Sequence, residues 1–184
     1  MRKINEIFYS IQGEGFYTGT PAVFIRFAGC NLNCPFCDTS HEDGQFMSDE
    51  EILNEVKKYP ATHIILTGGE PSLQIDESFV DMLRRQNAYS GVVQIETNGT
   101  NPLPERIDFV TVSPKQGKIL KINQADELKV VYTGQDLMQY DDFKAKYRYL
   151  QPCSGKNINE VIEYVKNNPT WNISVQMHKL LNIQ

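Results

Sequence analysis

The chain has 184 residues, 40% of them hydrophobic, and a net charge of −5. That length suits one domain, residues 1–184, with a sizeable core, and the acidic balance, with a pI near 5.2, excludes an extended nucleic-acid-binding surface. No run of about 18 apolar residues is present to span a membrane, and the opening residues Met1 to Glu6 lack the apolar core of a signal peptide.

Taken in order, Ile4, Ile7, Phe8, Tyr9 and Ile11 predict an N-terminal strand over 4–12, running into Gln12-Gly13-Glu14-Gly15. Two glycines there allow a tight turn or a close approach to a ligand; composition alone favours an ordinary hairpin loop. Ala22 to Phe27 is a buried strand interrupted by Arg26. A charge in such a run is costly unless paired, so Arg26 either faces the open side of the sheet or binds an anion. Ser48 with Glu51 three positions on is a capping box. The helix it starts buries Ile52, Leu53, Val56 and Tyr59 and ends at Pro60.

His63 to Thr67 is the next strand and empties into Gly68-Gly69-Glu70-Pro71. A helix near 76–87 shows Phe79, Met82 and Leu83 on one face. Val92 to Glu96 and Phe109 to Val112 are strands ending in Thr97-Asn98-Gly99-Thr100 and Ser113-Pro114-Lys115. A fifth strand spans Glu127 to Tyr132, a short helix 135–146, and a sixth strand Tyr147 to Leu150, before Gln151-Pro152. A helix near 157–167 buries Ile158, Val161, Ile162 and Val165 at helical spacing. Trp171 to Met177 is a last strand, and His178 to Gln184 a tail. Strands alternating with helices imply parallel pairing. The chain is too short for eight β/α units, which leaves an incomplete α/β barrel of about six parallel strands with few helices. Most strands end in a polar or Gly/Pro-rich motif, and in a parallel barrel those ends meet on one rim.

Three of the four cysteines stand in Cys30-Asn31-Leu32-Asn33-Cys34-Pro35-Phe36-Cys37, spaced C-x3-C-x2-C. Clustered in this way they are no disulfide framework, and reduced thiols point to the cytoplasm. Thiolates select zinc, Cu(I) or iron–sulfur clusters. Structural zinc takes four protein ligands, so a zinc knuckle needs Cys153 or a histidine to complete it. A [4Fe-4S] cluster on three cysteines leaves one iron open for a chelating substrate.

This stretch resembles the radical S-adenosylmethionine (SAM) enzymes, and Gly68-Gly69-Glu70-Pro71 resembles their GGEP motif. Ser10 to Gly15, Pro21 to Arg26, Cys37-Asp38-Thr39, Glu96 to Thr100, Val112 to Lys115 and Val175-Gln176-Met177-His178-Lys179 look like the 7-carboxy-7-deazaguanine synthase family along the whole chain. That resemblance implies conversion of 6-carboxy-5,6,7,8-tetrahydropterin to 7-carboxy-7-deazaguanine and ammonia, on the route to queuosine. It implies a [4Fe-4S] cluster on Cys30, Cys34 and Cys37, SAM, and Mg²⁺ on Thr39. SAM contacts carry over to Phe36, Cys37, Asp38, Gly69, Glu70, Ser113, Pro114, Lys115, Gln151, Pro152, Cys153 and Ser154. Substrate contacts carry over to Ile11, Gln12, Gly13, Glu14, Arg26, Thr67, His178 and Gln184, with Arg26, Glu14 and His178 as the catalytic residues. A guanidinium at Arg26 suits a substrate carboxylate, and Glu14 suits an amino-pyrimidine edge. His41 and His63 have no counterpart and are taken as structural. Family membership also implies a homodimer and a flavodoxin-like or ferredoxin-like electron donor. The competing functions are a glycyl-radical enzyme activating enzyme, which needs a groove for a protein partner, and a zinc-stabilised binding module.

Overall fold

Each central strand carries apolar side chains at every second position, and that alternation builds the fold. The computed structural model describes residues 1–37, 39–86 and 91–184. Its strands are β1 (Arg2–Ile11), β2 (Pro21–Phe27), β3 (Gln45–Met47), β4 (His63–Gly68), β5 (Val92–Thr97), β6 (Phe109–Val112), β7 (Gln124–Tyr132), β8 (Lys144–Pro152) and β9 (Asn172–Ile173). The helices are α1 (Asp49–Val56), α2 (Glu77–Gln86), α3 (Ile158–Asn167) and α4 (Met177–Leu181). The strands form one sheet in the order β3-β1-β2-β4-β5-β6-β7-β8-β9. From β2 to β8 six strands run parallel, and the two-residue β9 extends them. β1 and β3 pair antiparallel at the other edge.

One face of the sheet is dry. Val23, Ile25, Phe27, Ile64, Leu66, Val93 and Ile95 pack against Ile52, Leu53 and Val56 of α1 and Phe79 and Leu83 of α2. Burying each such side chain stabilises the fold by roughly 1.5–3 kcal/mol. A second cluster joins Val112, Leu128, Val130 and Leu150 to Val161 and Trp171. The capping box starts α1 as its sequence predicts: Ser48 Oγ accepts from Glu51 N at 3.2 Å and Glu51 Oε2 accepts from Ser48 N at 2.7 Å. The alternate positions, Phe24, Arg26, Thr67, Glu96, Lys129 and Gln151, turn to the concave face, and all of them line one cavity.

The structure departs from the sequence expectation in several places: β3 is unexpected, β7 begins at Gln124 rather than Glu127, and α1 stops at Val56, short of Tyr59. Residues 135–146 hold no α-helix; a 3₁₀ turn at Met138–Tyr140 is followed directly by β8 from Lys144. The alternation Lys144, Lys146, Arg148 with Ala145, Tyr147, Tyr149 has the period of a strand and extends β8 three residues earlier than expected. The strand expected over 171–177 shrinks to Asn172–Ile173, and Met177–Leu181 is helical rather than a tail. Ser174 causes the break: its hydroxyl accepts from Gly15 N at 3.0 Å and donates to Gln151 Oε1 at 2.9 Å, spending itself on the interior. Finally, α3 buries Val161, but Ile158 and Ile162 are each 39% exposed, because β8 and β9 cover only one side of that helix.

Among the described residues, the barrel does not close by strand pairing. The β1–β2 loop and the C-terminal segment seal the seam instead. Met177 N donates to Gly13 O at 2.9 Å, and Ser10 Oγ donates to Gln184 O at 2.5 Å. The same loop plugs the inside with aromatic rings: Phe16 stacks on Tyr147 at 4.1 Å, and Tyr17 meets His63 edge-on at 4.5 Å. The Gln-Gly-Glu-Gly stretch is thus a hairpin connection and a barrel seal together. Gly15 has φ +66°, and an added Cβ would collide with the Glu127 carboxylate, so the position needs glycine twice over.

Candidate active site

The C-terminal ends of the parallel strands, the cysteine loop and the sealing loop enclose one cavity of about 330 Å³. β2 delivers Cys30 to its wall, and Cys34 and Cys37 line it as well. All three are free thiols. Their loop is fixed locally: Leu32 N donates to Cys30 Sγ at 3.4 Å and Cys37 N to Cys34 O at 3.0 Å. A second set of bonds ties the loop to the end of β5. Asn98 Nδ2 donates to Asn31 Oδ1 at 3.0 Å, and Asn31 Nδ2 donates to Thr100 Oγ1 at 2.8 Å. That explains chemically why Thr97-Asn98-Gly99-Thr100 accompanies the cysteines. Among the described residues, no three His, Cys, Asp or Glu side chains are gathered closely enough to enclose an ion. Three soft donors on the wall of a wider space suit a polynuclear iron–sulfur group. Burial pushes the Cys30 thiol up, so ligation itself must draw off the proton.

Most of the residues singled out in the sequence converge here. Ile11, Gln12, Gly13 and Glu14 line the cavity, with Arg26, Thr67, His178 and Gln184. Phe36, Thr39, Gly69, Ser113 and Lys115 line it too, as do Gln151, Pro152, Cys153 and Ser154. His178 packs so closely on the sealing loop that a Cβ at Gly13 would collide with its Nδ1. Asp38 lies outside the described residues.

Two expectations differ from the placement observed. Pro114 is buried and lies outside the cavity lining. Glu70 is 0% exposed and also lies outside it. Its Oε1 accepts from Ser72 N (3.1 Å), Ser72 Oγ (2.6 Å) and Thr97 Oγ1 (2.6 Å), and its Oε2 from Asn98 N (2.7 Å). A carboxylate so occupied has little left for a ligand, and it instead braces the strand ends that hold the cysteine loop. His41, taken as structural, lines the cavity, and its Nδ1 is buried without a hydrogen-bond partner among the described residues.

Arg26 is paired. Its Nε bonds Glu6 Oε1 at 2.7 Å across the β1–β2 ladder, and Gln184 Nε2 donates to Glu6 Oε2 at 2.5 Å. Glu14 belongs to a different network, which the sequence reading missed. Lys129 Nζ lies 2.7 Å from Glu14 Oε2 and 3.1 Å from Glu96 Oε1. Gln151 and Gln176 amides donate to Glu14 Oε1 at 3.1 and 2.9 Å, and Gln12 Nε2 to Glu96 Oε1 at 2.9 Å. Burial alone would raise the Glu14 carboxyl, but the Lys129 ammonium, with the Gln176 amide and the nearby His178, holds it below the ordinary 4.5. Burial works equally against charge on Lys129, and three surrounding carboxylates, Glu14, Glu96 and Glu127, hold it well above the usual lysine range. The signal was available: Lys129 sits among Leu128, Val130 and Val131 as Arg26 sits in β2.

The profile of the Radical SAM superfamily matches residues 24–112. A 7-carboxy-7-deazaguanine synthase of Bacteroides thetaiotaomicron is 59% identical over 184 residues, covering 100% of both chains. One from Haemophilus influenzae is 37% identical, covering 98% of this chain and 93% of its own. The crystal structure of QueE from Escherichia coli superposes with a TM-score of 0.77 at 29% identity, over 96% of this chain and 94% of that one.

Proposed function

The chain belongs to the 7-carboxy-7-deazaguanine synthases, a family of radical SAM enzymes, and from that membership we propose how its cavity carries out the reaction. It is a radical SAM enzyme of 7-deazapurine and queuosine biosynthesis, using a [4Fe-4S] cluster and SAM. Its substrate is 6-carboxy-5,6,7,8-tetrahydropterin, and its products are 7-carboxy-7-deazaguanine and ammonia.

Cys30, Cys34 and Cys37 would hold the cluster, which would supply the electron for reductive cleavage of SAM. Phe36, Cys37, Gly69, Ser113, Lys115 and the Gln151–Ser154 turn hold SAM against that wall. Arg26 takes the substrate's C6 carboxylate while Glu6 anchors its Nε. Fixing that carboxylate beside the carbon that loses hydrogen is a positional contribution to rate. Gln12 and Glu14 meet the amino-pyrimidine edge, and Thr67, His178 and Gln184 close on the remaining rim. Thr39, an oxygen donor next to the cysteine loop, ligates Mg²⁺. The domain spans 1–184, acts in the cytoplasm as a homodimer, and takes its electron from a flavodoxin-like or ferredoxin-like donor.

The observation that carries this is the shared cavity: the three cysteines line it together with a hydrogen-bonded polar network in which Glu14 accepts three bonds and keeps acceptor capacity for a ligand. A floor of paired Glu14, Lys129 and Glu96 suits a small polar heterocycle rather than the backbone of a protein partner. That argues against glycyl-radical activation, and the donor set with a wide cavity argues against a closed zinc site. The test is anaerobic reconstitution followed by incubation with SAM, reductant, Mg²⁺ and the carboxytetrahydropterin. 7-Carboxy-7-deazaguanine is the expected product by mass spectrometry. 5′-Deoxyadenosine accumulating with no deazapurine would refute the assignment.

A further inference from the structure

Lys129 sits mid-strand in β7 between Leu128 and Val130, and its side chain is 5% exposed. An ammonium there is unfavourable unless it is paired. It is paired twice, with a carboxylate from the sealing loop and one from β5, at 2.7 and 3.1 Å. Both partners line the cavity with it. Each keeps further neutral donors: Gln151 and Gln176 on Glu14, Gln12 and Thr67 on Glu96. A buried ion network of this kind is not the most stable way to fill a barrel, since apolar groups of equal volume often do as well or better. Its distinguishing property is that it fixes the charge of two neighbouring acids. Without the ammonium, two neighbouring half-buried carboxylates would be left with no counter-charge between them, which favours protonation of Glu14. Glu14 would then be part donor, and it would oppose the N–H groups of an amino-pyrimidine.

We propose that Lys129 is a positioning residue for the pterin: tied to Glu14 and Glu96 together, it keeps Glu14 an ionised acceptor aimed into the cavity. Glu96 serves as its second counter-charge, and Lys129 itself acts through Glu14 rather than on the reacting carbon. This rests on the pterin assignment above.

The test is calorimetric binding of 6-carboxy-5,6,7,8-tetrahydropterin to cluster-loaded, SAM-bound enzyme without reductant, so that no turnover intervenes. Lys129→Met is expected to weaken pterin binding by about tenfold to a hundredfold, the loss of one charge-assisted hydrogen bond. SAM affinity should fall clearly less, because Lys129 pairs with Glu14 and Glu96 rather than with a residue assigned to SAM, and Gln151 meets Glu14 only through a neutral amide. Adding Glu96→Gln to Lys129→Met removes the competing carboxylate and should recover part of the pterin affinity. A role confined to stability would make that double variant worse. Pterin binding unchanged in Lys129→Met, an equal loss of SAM affinity, or a deeper loss in the double variant each overturns the proposal. If Lys129→Met does not fold, the double variant and Lys129→Arg carry the test. The double variant should bind the pterin more weakly than wild type, and Lys129→Arg, which keeps the cation beside Glu14, should bind it more tightly than the double variant does; wild-type pterin affinity in the double variant, or Lys129→Arg no better than the double variant, overturns the proposal. Wild-type enzyme that binds SAM but not the pterin overturns the functional assignment and this proposal with it. Normal wild-type binding with unaffected variants overturns this proposal alone.

Discussion

Glu70→Gln tests whether the acid of Gly68-Gly69-Glu70-Pro71 serves a ligand or the fold. The buried carboxylate accepts four hydrogen bonds, three on Oε1 and one on Oε2 from Asn98 N at 2.7 Å. A glutamine does best by keeping its oxygen where three donors converge. Its amide nitrogen then faces the Asn98 N–H, donor against donor, in a site with no water access. Leaving that one buried amide unsatisfied costs about 1–3 kcal/mol, and the other three bonds lose their charge assistance. A total near 3 kcal/mol corresponds to a fall in Tm of about 6–12 °C for a domain of this size. The measurement is thermal denaturation of cluster-free protein with no SAM present. The expected loss is already complete in that state. A Tm within about 2 °C of wild type, with SAM affinity down by about tenfold, would refute the bracing role and return Glu70 to the ligand.

The remaining predictions concern Glu127 and Arg26. Burial above all, with Glu96 adding and Lys129 opposing, pushes Glu127 to about 6 from an ordinary 4.5. The folded state therefore binds more protons than the unfolded one across that window, and stability falls as pH rises from about 4.5 to about 6, by about 2 kcal/mol. Glu127→Gln removes the slope, so wild-type stability measured relative to that variant should drop by this amount between pH 4.5 and 7; a difference that stays flat in denaturant titrations counts against it. Arg26→Lys keeps a charge for Glu6 but loses the planar fork. It should bind SAM normally and release more 5′-deoxyadenosine per deazapurine formed. A changed Tm with an unchanged ratio would make Arg26 a purely structural partner of Glu6.

Local sequence determined a good deal here. The C-x3-C-x2-C spacing, the capping box at Ser48 and the apolar strands β2, β4, β5 and β6 are set by neighbouring residues, and each appears in the structure close to where its pattern placed it. The strand-end motifs were legible as one rim because parallel pairing leaves their ends no other common side. What tertiary structure alone decided is partnership. Arg26 and Lys129 are equally anomalous in sequence, but that Glu6 meets the first, and Glu14 and Glu96 the second, depends on β1–β2 register and on a loop reaching across an open barrel. Glu70 and Glu14 are both acids beside glycines. One is sealed beneath the strand ends and the other lines the cavity, because the burial of a carboxylate is a property of everything folded around it. The short β9 and α4 were illegible for the same reason: Ser174 leaves the strand to serve Gly15, 159 residues away in sequence, and no local pattern encodes a contact of that range.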